Sequence, residues 1–200
     1  MKDLKLGFLA SHNGSNMQAI IDACKSGELK AYPALVISNN SRSGALERAK
    51  KERVPGMHIS SKDYPDPDEL DRAIVAALQD HGVNLVVLAG YMKKIGPLML
   101  ETYQNRILNI HPALLPKFGG QGMYGKLVHE AVLNAGESKS GASIHIVSGE
   151  YDQGPVLYQA EVPVKPDDTV DTLAARVLEV EHKAYVNTLQ MILLGEIELP

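Results

Sequence analysis

Two side chains with complementary chemistry, an amide and an imidazole, lie two residues apart at Asn109 and His111. Residues 107–110 form a predicted short strand, and Pro112 ends it because a proline has no N–H for the next ladder bond. Side chains alternate across a strand, so Asn109 and His111 share one face near the strand end. An amide donor beside a titratable imidazole can bind and protonate an oxygen that gains negative charge. The spacing alone also fits a strand whose last polar residues face solvent.

Asp152 lies in a predicted loop between the last two strands and is the natural third member of this group. A carboxylate near an imidazole favours the charged ring and raises its pKa, which suits a general acid near neutral pH. Taken alone, Asp152 is better explained as a turn residue whose carboxylate accepts hydrogen bonds from backbone amides than as a catalytic residue. Asn109, His111 and Asp152 are therefore candidate catalytic residues in combination.

A candidate anion site follows the first predicted strand. Gly14 lies in a tight loop, and Ser15 with Gln18 forms a capping-box pattern that starts a helix there. A strand end, a glycine and the free N–H groups of a helix start can bind an anion. The G-x-G-x-x-G spacing is missing and no acidic residue ends the second strand, so a phosphate fits better than a dinucleotide. A capped turn that binds nothing is an equally good interpretation.

These residues need an architecture that brings them together. Strands alternate with helices, which predicts one α/β domain over residues 1–200: a Rossmann-like, open, mostly parallel twisted sheet with helices on both faces. The last two strands follow each other without a helix and form a predicted antiparallel pair at a sheet edge. The predicted strands are residues 4–10, 34–38, 55–59, 84–89, 107–110, 142–147 and 156–162. The predicted helices after the first are residues 43–52, 69–81, 97–103, 126–135 and 169–194.

Residues 119–125 contain four glycines, too many for a stable helix interior, and form a predicted mobile loop. Such a loop fits either a lid over a site or a flexible surface segment.

The composition excludes several classes of protein. A chain of 200 residues with 44% hydrophobic content forms one domain, and its net charge of −4 gives no support for a nucleic-acid partner. Cys24 is the only cysteine and His129 does not begin an H-E-x-x-H motif, so no disulfide and no metal site are expected. No apolar run fits a signal peptide or a bilayer span, which predicts a soluble, cytoplasmic protein. The histidines outside the candidate group are expected to be structural or solvated: His12, His58, His81, His129, His145 and His182.

Four segments, taken in order, resemble the phosphoribosylglycinamide formyltransferase family, the folate-dependent transformylases of purine synthesis. They are residues 13–16, 88–92, 109–116 and 152–155, and the similarity extends over residues 4–194. The resemblance implies transfer of a formyl group from 10-formyltetrahydrofolate to the amine of glycinamide ribonucleotide, through a tetrahedral oxyanion. It implies these two small-molecule partners, no metal, no nucleic acid or membrane, and a monomer or homodimer.

The resemblance also implies roles for individual residues. Asn109 and His111 would polarise the formyl oxygen, while Asp152 would keep His111 charged and organise the water that moves a proton. The residues that would bind the ribotide are Gly14, Ser15 and Asn16 at its phosphate and Glu181 at its amine. The residues that would bind the formylfolate are Met92, Lys93, Lys94, Ile95, Asn109, Glu150 and Tyr151.

The chain departs from the family pattern at a few positions. His12 stands where relatives often carry glycine, Lys93 replaces a frequent arginine, and Leu178 lies where some relatives have glutamine. A basic residue that relatives often place before the third helix falls at Pro67, and Lys62 is the nearest substitute.

Three rival functions are weaker. A deformylase of this family usually carries an additional N-terminal domain, whereas the first predicted strand starts at residue 4. A methionyl-tRNA formyltransferase needs an RNA-binding domain and a basic surface, and this chain is net negative. A non-catalytic phosphate-binding α/β module would keep the Gly14 loop but would have no use for the convergence of Asn109, His111 and Asp152.

Overall fold

Strands and helices alternate along residues 3–200, the part of the chain that the computed structural model describes. The strands are β1 (Leu4–Leu9), β2 (Ala31–Ser38), β3 (Gly56–His58), β4 (Leu85–Leu88), β5 (Ile107–His111), β6 (Lys139–Ile146) and β7 (Val156–Pro163). The helices are α1 (Ser15–Ser26), α2 (Gly44–Glu52), α3 (Pro67–Asp80), α4 (Pro97–Thr102), α5 (Lys126–Asn134) and α6 (Val170–Leu194).

The strands form one sheet in the order β3-β2-β1-β4-β5-β6-β7. The pairs from β3 through β5 are parallel, and β6 is antiparallel to both β5 and β7. The predicted, mostly parallel sheet with an antiparallel pair at its C-terminal side is confirmed. The chain extends the sheet first to one side of β1 and then, from β4, to the other. Loops that leave β1 and β4 therefore diverge, and the crevice between them is the usual ligand site of such a sheet.

Both faces of the sheet are covered by helices whose apolar side chains face it. On one face α1 and α6 pack on the sheet through fully buried side chains such as Met17, Ile20 and Tyr185. On the other face α3 and α4 bury Leu78 and Met99. Burial of each such side chain stabilises the fold by roughly 1.5–3 kcal/mol, which makes the sheet a rigid support for the loops at its edge.

Most element boundaries lie within one residue of the predictions, and β6 begins three residues earlier than predicted, at Lys139. Two further starts differ for local physical reasons. Strand β2 starts at Ala31 rather than at residue 34 because Pro33 is tolerated where β2 has only β1 as a neighbour, and the register shifts by one residue there. Helix α3 starts at Pro67 rather than at residue 69 because the Asp66 carboxylate caps it, and a proline suits the first helical turn.

Within residues 3–200, none of the helices combines the length and the apolar character that crossing a bilayer requires.

Candidate active site

The candidate catalytic side chains meet at the carboxyl end of β5. Asn109 and His111 lie on β5, and the antiparallel register of β6 places His145 opposite Asn109 and Ser143 opposite His111. The Asn109 Nδ2 atom is 3.1 Å from His145 Nε2. The alternation of side chains along β5 therefore delivers an amide and an imidazole to one face, as predicted.

Asp152 joins this group from the loop between β6 and β7. Its backbone is left-handed, with φ 55°, and its side chain is 10% exposed. The Oδ2 atom lies 3.4 Å from His111 Nδ1 and accepts a hydrogen bond of 2.9 Å from the Gly120 N–H. The Oδ1 atom lies 3.4 Å from His145 Nε2. The expected approach of carboxylate and imidazole is observed, and the carboxylate bridges two imidazoles.

His145, which was expected to be structural or solvated, is not solvated and joins the candidate catalytic group. Its ring is buried, and its Nε2 atom contacts both Asn109 and Asp152. No local pattern around His145 indicates this, because the contact depends on which residue of β5 faces it across the sheet. An antiparallel pairing of the predicted strand at residues 142–147 with β5 would have placed His145 near Asn109.

The pKa of His111 is lowered, contrary to the predicted rise. The side chain is 3% exposed, and its burial disfavours the charged ring more than Asp152 and the Phe118 carbonyl favour it. The Nε2–H donates a hydrogen bond of 2.7 Å to the Phe118 carbonyl oxygen. Asp152 behaves oppositely: burial raises its pKa, but contacts with His145, His111 and Gly120 outweigh burial, and the pKa is lowered. Burial thus disfavours the charged form of His111, whereas the contacts of Asp152 favour its ionised form.

The glycine loop at residues 119–125 begins directly on this cluster. The Phe118 carbonyl oxygen accepts a hydrogen bond from His111 Nε2–H. The Gly120 N–H donates a hydrogen bond to Asp152 Oδ2. A Cβ at Gly119 would lie 3.2 Å from the Asp152 Cβ, so the glycine allows a close approach of the two chains. Of the two interpretations of this loop, the covering of a site fits the observed contacts.

A cavity of about 80 Å³ opens beside the cluster. It contains most of the residues that were predicted to bind the formylfolate, together with Asp152: its lining includes Lys93, Lys94, Ile95, Asn109, Glu150 and Tyr151. Tyr91 also lines the cavity and was not predicted. Met92, which was also predicted to bind the formylfolate, does not line this cavity. It is 44% exposed, and its backbone N–H donates a 2.8 Å hydrogen bond to the Ser11 hydroxyl.

A larger cavity of about 360 Å³ lies next to the first, and the two share Tyr91, Lys93, Lys94 and Ile95 in their walls. Its remaining walls are largely apolar and come from α3, α4 and the loops beside them, including Ile59, Pro67, Leu70, Ile74 and Met99.

The loop after β1 has the shape of an anion site but not the predicted cap. Gly14, with φ 68°, is the N-cap residue of α1, and Ser15 is its first helical residue, so the predicted capping box is wrong. Gln18 instead donates a 2.8 Å bond to Asp22. A Cβ at Gly14 would lie 2.9 Å from the Ala45 Cβ, which explains why the close packing of α2 requires a glycine. The N–H groups of the first turn of α1 have no partners within the helix and can bind an anion.

Arg48 fixes the start of this loop. Its Nε–H donates a 2.9 Å hydrogen bond to the Asn13 carbonyl oxygen, and its Nη2 donates a 3.2 Å bond to Asn13 Oδ1. The guanidinium therefore restrains the residue that precedes Gly14 and places a positive charge beside the anion site.

Glu181 connects the anion site to α6. The Asn16 Nδ2–H donates a 2.7 Å hydrogen bond to Glu181 Oε2, so this side-chain donor is used within the protein and leaves the Asn16 backbone N–H for an anion. Glu181 is 8% exposed, and burial raises its pKa to about 7, while the bond from Asn16 lowers it in part. One turn further along α6, the Tyr185 hydroxyl lies 2.9 Å from the Leu88 carbonyl oxygen and 3.1 Å from that of Leu108. Helix α6, which carries the Glu181 carboxyl group, is thus bonded to β4 and β5 through Tyr185.

Acidic, histidine and cysteine side chains of residues 3–200 form no group of three or more that could hold a metal ion. The amide, imidazole and carboxyl groups of the site can supply hydrogen bonding and proton transfer.

An open α/β sheet with an amide, imidazoles and a carboxylate at its carboxyl edge defines an enzyme that can stabilise a developing oxyanion. The family model described as formyl transferase matches residues 4–189, and the chain belongs to this family.

Relatives of this chain carry more specific names. It is 38% identical over 195 residues to a phosphoribosylglycinamide formyltransferase of Haemophilus influenzae, covering 98% of this chain and 90% of the relative. Its structure matches that of glycinamide ribonucleotide transformylase 1 from Symbiobacterium toebii with a TM-score of 0.93 and 37% identity, over 100% of this chain and 92% of the other. A formyltetrahydrofolate deformylase from Pseudomonas syringae pv. tomato shares the fold, with a TM-score of 0.87 and 24% identity, over 99% of this chain and 64% of the other.

Proposed function

We propose that this protein transfers the formyl group of 10-formyltetrahydrofolate to the amine of glycinamide ribonucleotide. The observation that carries the proposal is the cluster in which Asp152 lies 3.4 Å from both His111 and His145, and His145 lies 3.1 Å from Asn109. This cluster lies beside a cavity that opens at the same strand edge as an anion loop. Family membership and the names of the relatives support this choice of reaction and of substrates.

The reaction begins when the neutral amine of the ribotide attacks the formyl carbon. A C–N bond forms and the carbonyl oxygen becomes an oxyanion, which the Asn109 amide and the His111 Nε2–H stabilise as hydrogen-bond donors. The Phe118 carbonyl oxygen accepts a hydrogen bond of 2.7 Å from that Nε2–H and marks the position that the formyl oxygen takes. The glycine loop must therefore withdraw before the substrates react.

Proton transfer completes the exchange of bonds. The negative oxygen of the intermediate raises the pKa of the adjacent His111 ring, which is neutral beforehand, so the ring can share a proton with it. Asp152, whose pKa is lowered, stays ionised and orients the water that takes a proton from the new ammonium group. The intermediate collapses, the bond from the carbon to N10 breaks, and the proton passes to N10 of the departing tetrahydrofolate.

The two cavities suit the two ends of the folate. The cavity of about 80 Å³ beside Asn109 and Asp152 lies where the pterin and its formyl group must reach the catalytic residues. The neighbouring apolar cavity has room for the benzoyl ring, and Lys93 with Lys94 at the shared wall can bind the glutamate carboxylates. Pro67 lines the same cavity and supplies no charge, so these lysines take the place of the basic residue that relatives often have there.

The ribotide is bound on the other side of the cluster. Its phosphate is held by the backbone N–H groups of Gly14, Ser15 and Asn16 at the start of α1. Its amine meets Glu181, which ionises near neutral pH because its pKa is about 7, and which accepts an N–H of the neutral amine. Asn16 touches both the phosphate loop and Glu181, which aligns the two ends of one substrate.

Hydrolysis is the alternative reaction, because the same cluster could activate water instead of an amine. The deformylase relative supports the fold alone at 24% identity. The distinguishing property is the dependence on ribotide: a transferase releases tetrahydrofolate only when the amine acceptor is present.

The experiment incubates the protein with 10-formyltetrahydrofolate, with and without glycinamide ribonucleotide, and follows tetrahydrofolate by absorbance and the ribotide mass by mass spectrometry. We expect tetrahydrofolate release only with the ribotide, together with a mass gain equal to one formyl group. Equal release without the ribotide would identify a deformylase, and no reaction under either condition would favour the binding module. The cytoplasmic location and the monomer or homodimer stay predictions.

A further inference from the structure

His145 occupies a position in the site that none of the roles above uses. Its ring is 2% exposed, its Nδ1 atom lies 3.0 Å from the Ile146 carbonyl oxygen, and its Nε2 atom lies 3.1 Å from Asn109 Nδ2. The third contact, to Asp152 Oδ1, is longer at 3.4 Å. These three distances define what the ring can do.

The two short contacts fix the tautomer of the ring. A carbonyl oxygen can only accept, so His145 Nδ1 must carry the proton that it donates to Ile146. The Asn109 Nδ2 atom can only donate, so the Nε2 atom that it contacts accepts and carries no proton. This arrangement satisfies both short contacts, whereas a proton on Nε2 of a neutral ring would leave Nδ1 facing the carbonyl with a lone pair.

The tautomer in turn decides which way the Asn109 amide faces. An acceptor at Nε2 draws the NH₂ end of the amide toward His145, and Asn109 Oδ1 turns away. One Nδ2–H bonds to His145, and the second stays available as a donor at the cavity that Asn109 lines. If Nε2 carried the proton instead, it would point at Asp152 or at Asn109 Oδ1, and the amide would present its acceptor in place of its donor.

We propose that His145 is a positioning residue that holds the Asn109 amide with its NH₂ group toward the formyl oxygen. This inference rests on the proposed function, because an oriented donor matters only if an oxyanion forms there. It predicts that turnover depends on a hydrogen-bond acceptor at the Nε2 position of residue 145, and not only on the volume of that side chain.

The matched variants are His145→Gln and His145→Asn, both neutral and polar. A glutamine can place its Oε1 near the former Nε2 position and accept from Asn109, whereas the shorter asparagine cannot reach it. We expect His145→Gln to keep kcat within a few-fold of the wild type. His145→Asn should lower kcat by about 100-fold, the size of losing one oxyanion donor, with unchanged KM for both substrates. Equal losses in the two variants, or losses in KM alone, would overturn the proposal.

Combining His145→Asn with Asn109→Ala tests whether His145 acts through Asn109. A positioning residue has nothing left to position in that background, so we expect no further loss of kcat beyond that of Asn109→Ala. If the kcat of the double variant fell by the product of the two single losses, His145 would act on another group or on the fold.

A measurement on the ligand-free wild type does not depend on activity. The ¹⁵N chemical shifts of the His145 ring should show a protonated Nδ1 and an unprotonated Nε2 at neutral pH. The opposite tautomer would overturn the inference whichever reaction the protein catalyses, whereas a wild type without formyl transfer but with this tautomer would overturn the proposed function alone.

Discussion

At the scale of single residues, the site combines a neutral imidazole with an ionised carboxylate. Burial lowers the pKa of His111, and the contacts of Asp152 with His145, His111 and Gly120 lower the pKa of its carboxyl group. A neutral ring whose Nε2–H donates to an oxyanion stabilises the charged intermediate more than the uncharged substrate, which is the condition for faster turnover. The function of the pair therefore depends on the change in charge during the reaction.

The first prediction concerns this pair. His111→Ala and Asp152→Asn should each lower kcat by about 100-fold or more, or roughly 3–4 kcal/mol of barrier, while ribotide affinity changes little. The pair His58 and Asp63, 3.3 Å apart, supplies the control, and His58→Ala should leave kcat unchanged. Steady-state kinetics and calorimetric titration of the ribotide measure both quantities. A parallel loss of ribotide binding would indicate that His111 and Asp152 maintain the fold rather than the reaction.

The second prediction concerns the pH dependence of stability through Glu181. Its carboxyl pKa rises from 4.5 to about 7 in the folded protein, so the folded state keeps a proton that the unfolded state has lost between these values. Wild-type stability therefore falls as pH rises through this window, by up to about 3 kcal/mol. Glu181→Gln does not titrate and can still accept from Asn16.

Urea unfolding near pH 5 and near pH 8 measures this difference. We expect the variant to gain stability relative to the wild type at the higher pH and to bind the ribotide more weakly. A stability difference that is the same at both pH values would contradict the raised pKa.

At the scale of elements, the anion site is formed by the packing of two helices. Helix α2 lies against Gly14 through Ala45 and holds Asn13 through Arg48, so the start of α1 is rigid before a ligand arrives. A preformed set of N–H donors costs little ordering entropy on binding.

The third prediction compares the glycines at the two ends of α1. Gly14 and Gly27 both have left-handed backbones, with φ 68° and 82°, but only a Cβ at Gly14 would meet a neighbour, Ala45. Gly27→Ala should cost about 1 kcal/mol of stability from backbone strain alone and leave ribotide affinity unchanged. Gly14→Ala should cost more stability and weaken ribotide binding at least tenfold. Unfolding curves and ribotide titrations test both, and equal ribotide affinities in the two variants would refute the phosphate assignment.

Local chemistry accounts for what the sequence could predict of these elements. Alternation along β5 predicted the shared face of Asn109 and His111, and the glycine loop was predicted at its position. The capping box failed because Gly14 adopts a left-handed conformation that α2 requires, and this packing is not a local property. The role of His145 and the lowered pKa of His111 depend on cross-strand register and burial, which only the assembled sheet determines.

At the scale of the whole molecule, one long helix connects the two halves of the site. Helix α6 carries Glu181 beside the anion loop and, one turn later, Tyr185 against β4 and β5. The Tyr185 side chain is fully buried, and its hydroxyl meets the carbonyl oxygens of Leu88 and Leu108. The strands that lead to the cavity proposed for the folate and to Asn109 are thereby joined to the helix that carries Glu181, the carboxyl group proposed to bind the amine.

The fourth prediction tests this connection. Tyr185→Phe keeps the packing of the ring but removes the hydroxyl, which leaves buried carbonyl oxygens without this donor and should lower the free energy of unfolding by about 1–3 kcal/mol. Because Tyr185 touches no proposed substrate, kcat should stay within a few-fold of the wild type. Thr188→Val removes another buried hydroxyl of α6, bonded only within the helix, and should cost less stability. Comparable losses in Tyr185→Phe and Thr188→Val would argue against the connecting role.

The central claim is that the cluster passes one carbon from folate to ribotide. We would follow that carbon directly by ¹³C NMR, with 10-formyltetrahydrofolate labelled at the formyl position, glycinamide ribonucleotide and the protein. The account predicts that the labelled signal moves from N10 to the amide of the ribotide, and that His111→Ala slows this movement by orders of magnitude. Labelled formate in place of the amide, or transfer at the wild-type rate without the imidazole, would contradict it.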